Sequence, residues 1–219
     1  MESGWESAPR LADAATAASA ILWSSAYIQI VRAGARDAVP GMPLFAMLLN
    51  LSWEFVFSFV YPSPTPQIYA NYAWLVIDLA IAYQWFSFGR FEGRGARLPF
   101  VPLMLIMLSG CVAFMMASVV VLGDLQGRNT AYSQNLLMSV LFIDMLRRRA
   151  STAGQSMSVA VLKMFGTVAA GAGTVLRGMD TPFLRSLIVA IFAADLAYVV
   201  MLGRFPAAAT VERVDVASA

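Results

Sequence analysis

Three carboxylates stand inside long apolar runs of the sequence: Glu54 in LLNLSWEFVFSFV, Asp78 in WLVIDLAIA and Asp195 in IVAIFAADLAYVVML. An acidic side chain at the centre of a membrane helix costs about 2.5–3.5 kcal/mol to insert, so each one needs a reason to be there. Neighbours at helical spacing supply one. Asn50, Trp53, Glu54, Phe57 and Tyr61 share one stripe; Asn71, Trp74, Asp78 and Trp85 share another; Asp195 and Tyr198 stand at i, i+3; Asn135, Ser139 and Phe142 make a polar and aromatic stripe. The simplest assembly is an aromatic-walled pocket that all three acids line. A carboxyl in apolar surroundings keeps its proton near neutral pH and can donate it. Aromatic faces attract positive charge without capturing it as a nucleophile would. Such a pocket suits carbocation chemistry.

Each of these residues also has a plainer reading. An acid within a bundle can serve as an interhelical hydrogen-bond link, and aromatics at helical spacing pack. Asp144, three and four residues before Arg147 and Arg148, reads as half of an interfacial ion pair. Lys163 reads as a lysine that snorkels to a nearby membrane face. The small residues Gly166, Ala169, Ala170 and Gly173 read as a close helix–helix contact.

Absences narrow the chemistry. The chain has no histidine, which removes imidazole bases, Ser-His-Asp triads, axial haem histidines and the usual zinc sites. Its single cysteine, Cys111, lies in an apolar run, so no disulfide framework or Cys-rich metal site is available. Neither DDxxD, which a metal-dependent diphosphate-ionising synthase needs, nor the DxDD of soluble cyclases occurs. Asn50 to Glu54 resembles an NxxxD motif, but no second Asp-rich segment completes a metal site. The expectation is a reaction without metal or other cofactor.

The elements that must position these groups are membrane helices. Of 219 residues, 59% are hydrophobic and 13% charged, a balance that a lipid solvent explains and a soluble core does not. The hydropathy pattern predicts an all-α, polytopic seven-transmembrane-helix bundle with spans at 14–32, 41–61, 69–88, 99–122, 130–147, 157–176 and 183–203. Residues 1–219 form a single integral-membrane domain in this reading, with 204–219 as a C-terminal tail. The first span, rich in Ala and Ser, is the weakest and could sit partly at the interface. The N-terminus has no basic segment followed by a compact apolar stretch, so no cleaved signal peptide is expected.

Arginines set the orientation. Arg10, Arg128, Arg177 and Arg185 fall on the N-terminal side; Arg32, Arg36, Arg90, Arg94, Arg97, Arg147, Arg148, Arg149, Arg204 and Arg213 fall on the other. The excess of positive charge places the C-terminus in the cytosol and the N-terminus outside or lumenal. A net charge of +2, spread over the loops, points to no nucleic-acid partner.

The runs GMPLFAMLLNLSWEFVFSFVYP (41–62), YANYAWLVIDLAIAY (69–83) and FAADLAYVVML (192–202) resemble the integral-membrane terpene cyclases of fungal meroterpenoid and indole-diterpene pathways. The N-x-x-W-E stretch is the most specific part, and a bacterial relative of that family is expected. The resemblance implies a class II-like cyclase (lyase or isomerase). Glu54 and Asp195 match the acids held to protonate the terminal alkene or epoxide of a prenyl chain on an acceptor, and Asp78 matches a further acidic position. Asn50, Trp53, Phe57, Tyr61, Trp74, Trp85, Asn135 and Tyr198 are the expected substrate-binding residues. The partners implied are a prenylated small molecule and membrane lipid. The rival reading is a seven-helix proton-coupled transporter or carrier.

Overall fold

The computed structural model describes residues 7–89 and 100–206, and every regular element among them is helical. In chain order these are α1 (Ser7–Asp37), α2 (Leu44–Phe55, continued by a wider π turn over Val56–Val60), α3 (Gln67–Phe88), α4 (Phe100–Leu122), α5 (Arg128–Arg149), α6 (Met157–Leu176) and α7 (Pro182–Leu202). All seven predicted segments are present, six of them with ends within three residues of the expected ones. Helix α1 is the exception. It runs well beyond 14–32 at both ends and packs along α6, where Ser19 Oγ donates to the Gly166 carbonyl at 2.9 Å.

Successive helices run antiparallel, which defines an N-terminal and a C-terminal end of the bundle. At the N-terminal end Arg177 reaches from the end of α6 to Asp13 and Thr16 at the start of α1, both at 2.6 Å. At the C-terminal end the Gly154 N–H donates to Asp37 at 2.8 Å. Helix starts follow their local chemistry. Ser156 and Thr181 accept from the N–H groups of Val159 and Leu184, and Pro182 occupies the first turn of α7.

Pro9–Asp37, Phe100–Leu122, Met157–Leu176 and Pro182–Leu202 are each long and apolar enough to cross a membrane, and Leu44–Val60 is a shorter apolar helix. Helices α3 and α5 carry more polar side chains, and these turn inward: Asn71, Asp78, Gln84, Asn135 and Ser139 are buried. The surface is apolar, with Ile106 70%, Val120 71% and Val121 81% exposed on α4. Polar groups inside and aliphatic ones outside are the pattern of a helical membrane protein.

Lys163 departs from expectation. It does not snorkel: it is 1% exposed, because Asp195 and Ser139 satisfy its ammonium inside the bundle. The Asp144–Arg148 pair forms as expected, at 2.7 Å on the surface. Arg90, Arg94, Arg97 and Arg213, used in the arginine count, lie outside the described residues.

Candidate active site

The turn before α5 sets one wall of the site. Asp124 accepts from the N–H groups of Arg128 and Thr130 at 2.8 and 2.9 Å, closing the start of the helix. Gly127 has φ +68°, and a Cβ there would lie 2.6 Å from the ring of Phe57. Only glycine meets both demands. The Gly127 carbonyl in turn accepts from the indole N–H of Trp53 at 3.0 Å, and Thr130 Oγ1 lies 3.2 Å from the same nitrogen. Trp53 is thereby fixed between α2 and α5.

Between these helices and α1, α3 and α6 lies a cavity of about 320 Å³. Its aromatic wall is Trp23, Tyr27, Trp53 and Trp74, with Glu54 among them. Its α5 wall carries Arg128, Ala131, Gln134, Asn135 and Met138, and Arg177 and Met179 lie toward the N-terminal end. Glu54 is 2% exposed, and its Oε2 has no hydrogen-bond partner among the described residues. At the inner end Asn50 Nδ2 donates both to Tyr27 Oη and to Asp78 Oδ2, each at 2.7 Å. Trp74 is held by a bond from its indole N–H to Ser24 Oγ at 2.9 Å.

Of the expected site residues, the structure brings Asn50, Trp53, Glu54, Trp74 and Asn135 to this cavity. Asp78 is fully buried behind Asn50. The expectation that all three acids line one cavity is corrected. Asp195 Oδ1 is bound by Lys163 Nζ at 2.6 Å, and that ammonium also reaches Ser139 Oγ at 2.5 Å and lies 5.6 Å from the centre of the Trp23 ring. Phe57 packs on Trp53 with ring centres 4.8 Å apart, and Tyr61 packs against the same cluster. Trp85 donates to the Met42 carbonyl at 2.9 Å, and Tyr198 donates to Gln155 at 2.9 Å, both toward the C-terminal end. None of these four aromatics lines the cavity.

The π turn accounts for part of this. The Tyr61 N–H donates to the Val56 carbonyl five residues back at 2.8 Å, so the helical phase shifts just after Glu54 and carries the following residues off its stripe. Asn71 holds this turn by donating to the Phe57 carbonyl and to Ser63 Oγ, at 3.1 and 3.0 Å. Sequence reasoning missed Trp23 and Tyr27 of α1; their i, i+4 spacing in the first span was the available signal. It also missed Gln134, for which no sequence signal stood out.

Comparison with known proteins agrees with this architecture. The profile of the Pyr4-like transmembrane terpene cyclases matches residues 3–205. The Pyr4-family terpene cyclase mfmH of Annulohypoxylon moriforme is 29% identical over 155 residues, 68% of this chain and 64% of that protein. Terpene cyclase macJ of Penicillium terrestre is 28% identical over 165 residues, covering 72% and 64%, and terpene cyclase cle7 of Aspergillus versicolor is 28% identical over 167 residues, covering 73% and 69%. The matched region thus spans about 64% of the length of the first two relatives. No solved structure matches. These relatives are fungal, which corrects the expectation of a bacterial relative. With nearly its whole described length matched, the chain belongs to the Pyr4-like transmembrane terpene cyclase family.

Proposed function

We propose that the chain is a membrane-bound terpene cyclase in which Glu54 starts the reaction by protonating the far end of a prenyl chain attached to an acceptor. The observation that carries this reading is Glu54 itself: a buried carboxyl on an aromatic-lined cavity, with one oxygen that meets no partner. A carboxyl so placed acts as a general acid. Its proton adds to the terminal alkene carbon, or to an epoxide oxygen whose C–O bond then breaks. The cation left on carbon is attacked by the next π bond, and rings close in sequence. The faces of Trp23, Tyr27, Trp53 and Trp74 stabilise the migrating charge. Loss of a proton from carbon ends the sequence, and the carboxylate of Glu54 is available to take it, so the product is an isomer of the substrate.

Asn50 and Asp78 support this acid. Asn50 lies one turn from Glu54 on α2, and its amide is held by Tyr27 and Asp78, which fixes the polar floor of the cavity. We read Asp195 as a positioning residue, which acts through Lys163 on the wall carrying Trp23. Family membership favours cyclisation over the carrier reading. Among the described residues no three Asp, Glu or Cys side chains gather closely enough to hold a metal ion. Because the proposed reaction starts from a side-chain proton, membranes containing the protein should cyclise a prenylated acceptor, with no change in product mass, in EDTA and without nucleotide. Activity lost in EDTA and restored by Mg²⁺ would refute this.

From the arginine distribution we further propose that the C-terminus is cytosolic and that the N-terminal end of the bundle, toward which the cavity extends, faces the outer or lumenal side. Reporter fusions at the C-terminus and at the Arg148 loop should both read cytosolic. An outer or lumenal signal from either contradicts the orientation.

A further inference from the structure

We infer that the α5 wall of the cavity is a second subsite, which binds the acceptor ring of the substrate by accepting hydrogen bonds from its hydroxyl or N–H groups. The inference rests on the cyclase reading, which puts a prenylated acceptor in this cavity.

The orientation of Asn135 is dictated by its surroundings. Thr167 Oγ1 donates its proton to the Lys163 carbonyl at 3.0 Å, so toward Asn135 it offers only lone pairs. Asn135 must therefore turn its Nδ2 to Thr167, at 2.9 Å, and its Oδ1 is left without a partner. The residue is only 9% exposed and lines the cavity. One position earlier, Gln134 Oε1 is also buried and unpartnered, and Gln134 lines the same cavity.

The neighbouring hydroxyls are already committed. Thr174 Oγ1 donates to the Ala170 carbonyl at 3.0 Å and so receives the Tyr132 proton at 3.0 Å. What the amide oxygens of Asn135 and Gln134 lack is a donor. Two buried amide carbonyls on residues that line a ligand cavity each forfeit hydration unless the ligand brings an O–H or N–H, and an unpaired buried acceptor costs more than a made bond gains. A ring bearing ethers in place of hydroxyls would set acceptor against acceptor. Ala131 and Ala170, in the same lining, leave room for a flat ring, while Trp23, Tyr27, Trp53 and Trp74 take the prenyl chain. The cavity thus reads two chemistries: a hydrocarbon chain beside Glu54, and a donor-bearing ring against α5.

The test uses the full chain in lipid nanodiscs and two probes, a farnesylated dihydroxybenzene with both hydroxyls free and its bis-methyl ether. Binding is read from quenching of the cavity tryptophans, independently of turnover. The free phenol should bind about tenfold tighter or more. Gln134→Leu, which removes an oxygen with no partner in the chain, should bring the two affinities closer together, and Asn135→Leu should do so further. Equal wild-type affinity for the two probes, binding of neither, or a preference unchanged by Gln134→Leu overturns the subsite. Cyclisation is scored separately with the same acceptors carrying terminally epoxidised chains. A phenol preference without turnover keeps the subsite and removes the cyclase reading; turnover of both with equal affinity does the reverse.

Discussion

Glu54 and Asp195 are carboxylic acids buried in the same bundle, 2% and 1% exposed, and what separates them is a cation. Asp195 is in contact with the ammonium of Lys163, itself tied to Ser139 and close to the Trp23 ring. Glu54 faces a cavity, and its Oε2 touches no donor. The two carboxyl groups therefore have unlike surroundings, one at contact with an ammonium and the other on an aromatic-lined cavity. In the proposed reaction, two acids that look equivalent in sequence do different work: Asp195 ties α6 to α7 through its ion pair, and Glu54 gives the proton.

The comparison is tested most severely by Glu54→Gln. An amide keeps the size of the carboxyl and much of its hydrogen bonding but cannot supply the proton, so cyclisation should fall by roughly a thousandfold or more while the protein stays folded. Thermal unfolding in detergent should be nearly unchanged, because Oε2 has no partner to lose. Product formation near the wild-type rate, with purified protein and matched substrate, removes Glu54 from its role.

Breaking the pair at Asp195 should show the opposite balance. Lys163→Met leaves a buried carboxylate unpaired, a loss of about 3–5 kcal/mol that appears as a markedly lower unfolding temperature. Asp195→Asn should lower stability in the same direction and slow cyclisation through displacement of the Trp23 wall. The double variant Lys163→Met, Asp195→Leu removes both charges and should recover most of the stability. It should regain measurable cyclisation with it. A double variant that is folded but inactive would move Asp195 from the scaffold into the reaction.

The contrast between these acids was only half legible in the sequence. Helix number, and the limits of every helix but α1, were readable because hydropathy and turn residues mark them, and the stripe of Asn50, Trp53 and Glu54 was readable because α2 is regular up to that point. Phe57 and Tyr61 were assigned to the same face on a 3.6-residue period, which the π turn after Glu54 interrupts. Lys163 and Asp195 are 32 positions apart, and a lysine near a helix end resembles a snorkelling one until its partner is seen. Helix α1 was undervalued because Ala and Ser lower its hydropathy. Those same residues let it pack closely on α6, and Ser24 satisfies its hydroxyl on the Ala20 carbonyl at 2.7 Å. The aromatic wall contributed by Trp23 and Tyr27 went unseen for that reason.

Asp78 lies between the two extremes, and its variant should have the smallest effect. Like Asp195 it accepts from one side chain and leaves its other oxygen without a partner, but the donor, on Oδ2, is the neutral amide of Asn50 rather than an ammonium. Its side chain does not line the cavity, so it reaches the reaction only through Asn50. Asp78→Asn retains a carbonyl oxygen that can accept the Asn50 bond, which preserves the link to Tyr27 and the shape of the floor. What changes is a carboxyl next to the acid–base site. Turnover should therefore drop by about tenfold, the scale of one weakened polar contact in the transition state, with little change in substrate affinity or unfolding temperature. Activity as low as that of Glu54→Gln would make Glu54 and Asp78 a functional pair sharing the proton. Full activity would reduce the Asn50–Asp78 contact to a packing link between α2 and α3, and would leave Glu54 as the sole acid whose chemistry the reaction requires.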